Sequence, residues 1–250
     1  MKPKLRLLGL VFVLSGALFL VSGCSIRPVS DETSRTIEET AVTVTPTATP
    51  LATPAAAYTP EQFREYFYEI ALGTEFYAQT ENIRKWSEPM TLEVAGSPTA
   101  TDTATLNQVI SDIGQITDGR MTIRLVPSQG NAKITFAPLD ELKKYEPHIM
   151  PDNWGFFYVN WDGNFQITKA NIVIATDKPT QLERNHLIRE ELTQSLGLMQ
   201  DSDKYSDSIF YIEWTDTQNY SELDKALIAQ LYDPAVRAGM TRAELEKIIK

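Results

Sequence analysis

The chain has 250 residues, a net charge of −10, one Cys and two His. A single Cys permits no internal disulfide and no Cys-based zinc site, and two histidines cannot build a three-His zinc site. The acidic balance argues against nucleic acid as a partner, since phosphate binding needs a basic patch, while 42% hydrophobic residues suffice for one packed domain with appendages.

Residues 1–23 read as a secretory signal: Lys2, Lys4 and Arg6 form a positive head, and Leu7 to Val21 an apolar run. The run ends in Leu20-Val21-Ser22-Gly23-Cys24, which resembles a bacterial lipobox. That resemblance implies cleavage before Cys24, acyl chains of the palmitate kind on the new N-terminus, and a membrane-anchored, extracytoplasmic place in the cell envelope. A plain transmembrane anchor is the alternative, because the run approaches spanning length. From there to residue 57 the chain is rich in Thr, Pro and Ala, with Pro46, Pro50 and Pro54 each preceded by Thr. Such a composition buries too little to offset the entropy of ordering, so residues 24–57 are expected to be a disordered tether. The folded domain is expected over residues 58–250.

Within it, Phe63, Phe67, Ile70 and Ala71 follow Thr59-Pro60 at helical spacing, with Gly73 near the end. Met90 to Val94 reads as a short strand. Leu106, Val109, Ile110, Ile113 and Ile116 form an amphipathic helix closed before Gly119. Met121–Val126, Lys133–Phe136, Phe156–Val159 and Ala170–Ala175 are further strand candidates, and Leu139–Leu142 starts a short helix. Thr180 and Glu183 have capping-box spacing at the head of a helix running to Leu196, with Gly197 as its left-handed stop. Leu182, Ile188, Leu192 and Leu196 lie on one arc of that helix, expected to face inward. His186, Glu190 and Gln194 lie on another, with Glu191 between the two. Ser221 to Tyr232 is a helix with Leu223, Ala226, Leu227 and Leu231 inward, and Thr241 with Glu244 caps a short terminal one. No internal repeat is present. The fold class is α+β, helices around a small mixed sheet.

Glu190-Glu191-Leu192-Thr193-Gln194-Ser195-Leu196-Gly197-Leu198-Met199-Gln200 is the segment with chemical spacing. Side chains at i and i+4 share a helix face, a Gly turns the chain sharply, and a group three residues later swings back toward them. The run resembles the metzincin zinc signature HExxHxxGxxH with every histidine replaced. Glu190 falls at the first ligand, Glu191 at the catalytic Glu, Gln194 at the second ligand and Gln200 at the third, with Asp201 beside it. Tyr205 to Tyr211 resembles the segment carrying the matrixin Met-turn, with Ile209 near the Met position. Ser221–Asp224 with Leu231-Tyr232 resembles the closing helix, and Ala132–Phe136 and Lys169–Ile174 resemble the strands before the active-site helix. The domain also resembles an uncharacterised bacterial family known as domain of unknown function 2927. Its marks here are Arg84-Lys85-Trp86, the Glu190-Glu191-x-x-Gln194-x-x-Gly197-Leu198 run, Ser208-Ile209-Phe210, and Leu231-Tyr232-Asp233-Pro234 followed by Gly239-Met240. Together the resemblances imply a zincin-like α+β domain with a degenerate metal motif.

Glu190, Gln194, Gln200 and Asp201 offer hard oxygen donors, better suited to weak Ca²⁺ or Mg²⁺ binding than to zinc, so no tightly held cofactor is expected. Glu191 retains a general-base carboxylate, yet without a metal to acidify water it has little to act upon. His186, Glu190 and Gln194 with His148 form a second conceivable ligand set, though His186 equally reads as a polar-face residue beside Glu183 and Glu190. Ser195 and Ser206 lack any nucleophile-elbow pattern. The run Trp154-Gly155-Phe156-Phe157-Tyr158, with Trp161, either presents rings to a sugar or peptide or belongs to the core. Asp201, Asp203 and Asp207 lack the Gly and closing Glu of an EF-hand loop.

The resulting expectation is a lipid-anchored module whose partners are the membrane, through its lipid, and a peptide or envelope component. A metal-dependent hydrolase with Glu191 as base is the alternative, and a purely structural module with a self-filled cleft is a third reading.

Overall fold

The computed structural model describes residues 58–73 and 81–249; the expected leader, Cys24 and the tether lie outside them. Helix α1 spans Pro60–Leu72, α2 Ala100–Ile116, α3 Leu142–Tyr145, α4 Gln181–Gln194, α5 Glu222–Leu231 and α6 Arg242–Leu245. Strands β1 (Met90–Gly96), β2 (Ile123–Val126), β3 (Ala132–Ala137), β4 (Gly155–Trp161) and β5 (Ile167–Ala175) make one sheet in the order β2-β1-β3-β5-β4. The first four in that order run parallel, and β4 pairs antiparallel with β5 at the edge. The fold is α+β with a mixed sheet.

Local chemistry explains the helix boundaries. A capping box heads α1 (Thr59/Gln62), α2 (Thr99/Asp102), α4 (Thr180/Glu183), α5 (Ser221/Asp224) and α6 (Thr241/Glu244), each joining side chain and backbone N–H groups reciprocally. Helix α2 ends where Asp118 and Gly119 turn left-handed and the Gly119 N–H reaches back 2.8 Å to the Gly114 carbonyl.

Alternation along the strands sorts the core. Ile134, Phe136, Ile172 and Ile174 face the main core, against which α2 and α4 pack. Val173 and Ala175 face the other way, and with Ala137, Leu142, Ile149 and Phe156 they form a small second cluster. Phe156 and Phe157 are thus both buried, one on each side of the sheet, and Tyr158 stacks on His148. The core reading of that aromatic run holds for these residues.

The stretch Arg84-Lys85-Trp86 is extended, with Lys85 bridging in parallel to Gln166. Each of its side chains closes a different helix. Arg84 Nη2 donates to the Leu72 and Gly73 carbonyls at 3.0 Å, at the end of α1. Lys85 Nζ donates to Leu231 O (2.6 Å) and Val236 O (2.9 Å), at the end of α5. Trp86 Nε1 donates to Ser195 O (3.0 Å), at the end of α4. Terminal carbonyls are left unpaired by the helix itself and carry its negative dipole end, so cations and N–H donors stabilise them.

Two expectations from periodicity are corrected. Leu182 is not inward: it is 55% exposed, and the first turn of α4 buries Arg184 against Asp102 of α2 instead. Ala226 is only half-buried, and Ile228 fills the inner face of α5 instead. Among the described residues no helix is long and apolar enough to cross a membrane.

Candidate functional site

Every residue from His186 to Met199 is buried, the charged ones included. Helix α4 is therefore a central element, and a solvated polar face does not exist on this stretch. Its two arginines are matched from α2. Arg184 Nε donates 2.7 Å to Asp102 Oδ1, and Arg189 Nη1 donates 2.8 Å to Asp112 Oδ2. Burial alone would raise the Asp102 carboxyl, but hydrogen bonds from Arg184, Gln181 and Thr99 outweigh it and hold Asp102 below the usual carboxylate range. The Arg189 guanidinium also lies over the Tyr220 ring at 4.7 Å, and burial pushes the Tyr220 phenol up to about 12. Thr193 Oγ1 meets the Tyr220 hydroxyl at 2.6 Å.

The motif residues separate into pairs. His186 Nδ1 lies 3.0 Å from the Thr217 carbonyl, which can only accept, so Nδ1 carries a proton. Its Nε2, the nitrogen left for a metal, is turned to Glu190 Oε2 at 3.4 Å. Gln194 Nε2 donates 2.5 Å to Asp201 Oδ1, both side chains being buried. Glu191 sits against Gly155, where an added Cβ would come within 2.6 Å of Glu191 Oε1. Gly197 has φ +122°, and a Cβ there would meet the Arg84 carbonyl oxygen at 2.0 Å, so only Gly permits this bend.

Gln200, expected at the third ligand position, turns the other way. Its backbone N–H reaches Ile70 O on α1 (3.3 Å) and its amide donates to Asp201 O (3.1 Å). The side chain that returns to the helix is Asp201, the next residue. His148 does not join His186: its Nδ1 lies 2.6 Å from Glu146, whose buried carboxylate also accepts from Asn171 at 2.9 Å. The Met-turn-like segment is tied to α5, with Ser208 Oγ donating 2.6 Å to Asp224 Oδ1 and the Ile209 N–H 3.1 Å to Oδ2. Burial pushes the Asp224 carboxyl up, against the pull of these donors.

These residues do not fit zinc. Among the described residues no three His, Cys, Asp or Glu side chains are grouped so as to hold a metal ion. Facing a carboxylate, Gln194 must present its NH₂, so the residue aligned with the second ligand is matched as donor to Asp201, the neighbour of the third position. Two metal ligands would instead aim lone pairs at a common point. Two open cavities are found among the described residues. One of about 500 Å³ is lined in part by Gln200, Asp201, Lys204 and Arg242, and the other, of about 470 Å³, by Leu139, Met150 and Asp177 among others.

A family model described as a protein of unknown function, DUF2927, matches residues 60–250. The chain belongs to that family. Solved structures similar to this DUF2927 chain include two of myroilysin and one of a metalloproteinase. One structure of myroilysin is 14% identical, covers 59% of this chain and 95% of its own, and has a TM-score of 0.39. A second myroilysin structure is 12% identical, with 66% and 92% covered and a TM-score of 0.39. Metalloproteinase-II from Bacteroides fragilis is 10% identical, with 68% of this chain and 61% of that one covered and a TM-score of 0.37. No curated protein matches the sequence.

Sequence reasoning missed Gly155, Asp102, Asp112 and Thr217. Only Asp102 carried a local signal, its capping-box spacing from Thr99.

Proposed function

We propose that this DUF2927 chain is a lipid-anchored, extracytoplasmic module of the cell envelope whose metallopeptidase-like domain binds a partner without catalysing hydrolysis. The observation that carries this reading is the buried Gln194–Asp201 hydrogen bond at 2.5 Å. It supports a conversion of the second ligand position, with the residue after the third, into an internal clamp across the Gly197 bend. The His186–Glu190 contact and the seat of Glu191 on Gly155 support it further, since each side chain already has a packing partner. The anchor is read from the Cys24 motif, and the membrane is the partner it supplies.

Metal analysis of the full chain, purified without chelators, tests the reading. Substoichiometric zinc, and no hydrolysis of a casein or peptide-library substrate that Glu191→Gln abolishes, is the expected result. One tightly bound zinc per chain together with Glu191-dependent hydrolysis would overturn it in favour of the hydrolase alternative. Cys24→Ser is expected to abolish incorporation of labelled palmitate and to release the chain from membranes.

A further inference from the structure

Ile212-Glu213-Trp214 is an exposed run beside helix α4, with Ile212 45% and Trp214 42% exposed. Leu182, one helical turn before His186, adds a third exposed apolar side chain on the same side of α4. Trp214 is held in place. Its ring meets Trp154 edge-on at 5.5 Å and His186 at 6.2 Å. The segment around it is fixed by the Ile212 N–H on Ser202 O (2.9 Å) and by Gln218 Nε2 on Leu182 O (3.0 Å). An indole fixed beforehand gives up little rotamer freedom on contact, which suits it to anchor an interface.

Charge defines what the anchor would meet. Residues 201–220 contain five carboxylates and one lysine, with no Arg or His. That lysine, Lys204, is turned to Glu69. Asp203, Asp207, Glu213 and Asp216 are exposed and, among the described residues, make no ion pair. An apolar centre with an acidic rim is complementary to a cationic chain bearing apolar side chains. Anionic headgroups would be repelled by the rim. In a two-fold dimer through this face, the same carboxylates would oppose one another.

We infer that this face docks a cationic peptide segment of a partner protein. Its apolar side chain would lie against Trp214 and Ile212, and its Lys or Arg groups would meet Glu213 and Asp216. The inference rests on the binding-module reading and names the partner's chemistry.

The test uses the full chain, membrane-extracted into zwitterionic lipid nanodiscs, with empty nanodiscs subtracted. A dye-labelled amphipathic Leu/Lys peptide, a Ser/Lys peptide of equal charge and a Leu/Glu peptide are titrated by fluorescence anisotropy. The expected result is binding of the Leu/Lys peptide alone, weakened at least about tenfold by Trp214→Ala and by Ile212→Ser. Glu213→Gln with Asp216→Asn is expected to weaken it and flatten its salt dependence, while Leu125→Ser on β2 leaves it unchanged. Equal binding of the Ser/Lys peptide, indifference to both apolar variants, or Trp214-dependent self-association without peptide would each overturn the inference. None of these outcomes bears on zinc or hydrolysis, so the binding-module reading stands or falls separately.

Discussion

The Asp102–Arg184 pair offers the sharpest test of how α4 is held. Asp102 is fully buried and accepts from Arg184 Nε and Gln181 Nε2, each at 2.7 Å, while its other oxygen caps the Thr99 N–H at 2.7 Å. Asp102→Ala leaves the Arg184 guanidinium buried without its carboxylate, a loss of about 3–5 kcal/mol, and removes half of a capping box, about 1 kcal/mol more. Against a total stability of roughly 5–15 kcal/mol, that is a large fraction. Asp102→Asn keeps the shape and one acceptor and is expected to cost less, about 1.5–3 kcal/mol. Because the folded carboxyl titrates below its unfolded value, its contribution is present above the unfolded pKa and is lost as pH falls through the folded one. The acid limb of the stability curve should therefore be shallower in Asp102→Asn than in the parent. Urea unfolding followed by Trp fluorescence, at neutral pH and in a series down to about pH 3, measures both effects. The double variant Asp102→Leu with Arg184→Met should recover much of the loss, since both charges are gone. A loss under about 1 kcal/mol for Asp102→Ala would refute the view that this pair fastens α4 to α2.

Gly197→Ala should prevent stable folding, because its Cβ would lie 2.0 Å from a backbone oxygen at φ +122°; thermal unfolding or soluble yield reports it. Burial lowers the Lys85 ammonium to about 8, so between about pH 8 and its unfolded value the unfolded chain holds more protons. Stability should therefore rise across that window by up to ~1.4 kcal/mol per pH unit, and Lys85→Met should abolish the rise in urea titrations. Gln194→Glu sets a second carboxylate against Asp201, so the variant should lose about 1–3 kcal/mol near neutral pH and regain it in mild acid. Unfolding curves of this variant at pH 5 and pH 8 check the sign.

The helix starts were readable because a capping box is local: Thr180 and Glu183 satisfy one another within one turn, whatever the rest of the chain does. The parallel strands were readable from apolar runs such as Ile172 to Ala175. What periodicity could not show on α4 is that most of its polar residues are buried. Arg184 and Arg189 find their carboxylates 82 and 77 residues away, and no periodicity carries that information. The spacing around Gly197 located the returning backbone, but which of two adjacent side chains faces the helix depends on the bend itself. Asp201 rather than Gln200 meets Gln194 for that reason. Likewise, His148 was readable as a candidate only while Glu146 and Tyr158 were unplaced.

Arg84, Lys85 and Trp86 follow one another without an intervening residue, yet they terminate helices from the beginning, middle and end of the domain. Successive side chains of an extended stretch point to opposite sides, so a single-residue deletion there would hand each helix the wrong terminator. A guanidinium would arrive where an ammonium or an indole is required. The tripeptide thus behaves as a junction whose register is shared by three otherwise separate segments. Length changes that a surface loop absorbs freely would be felt here by the whole domain at once.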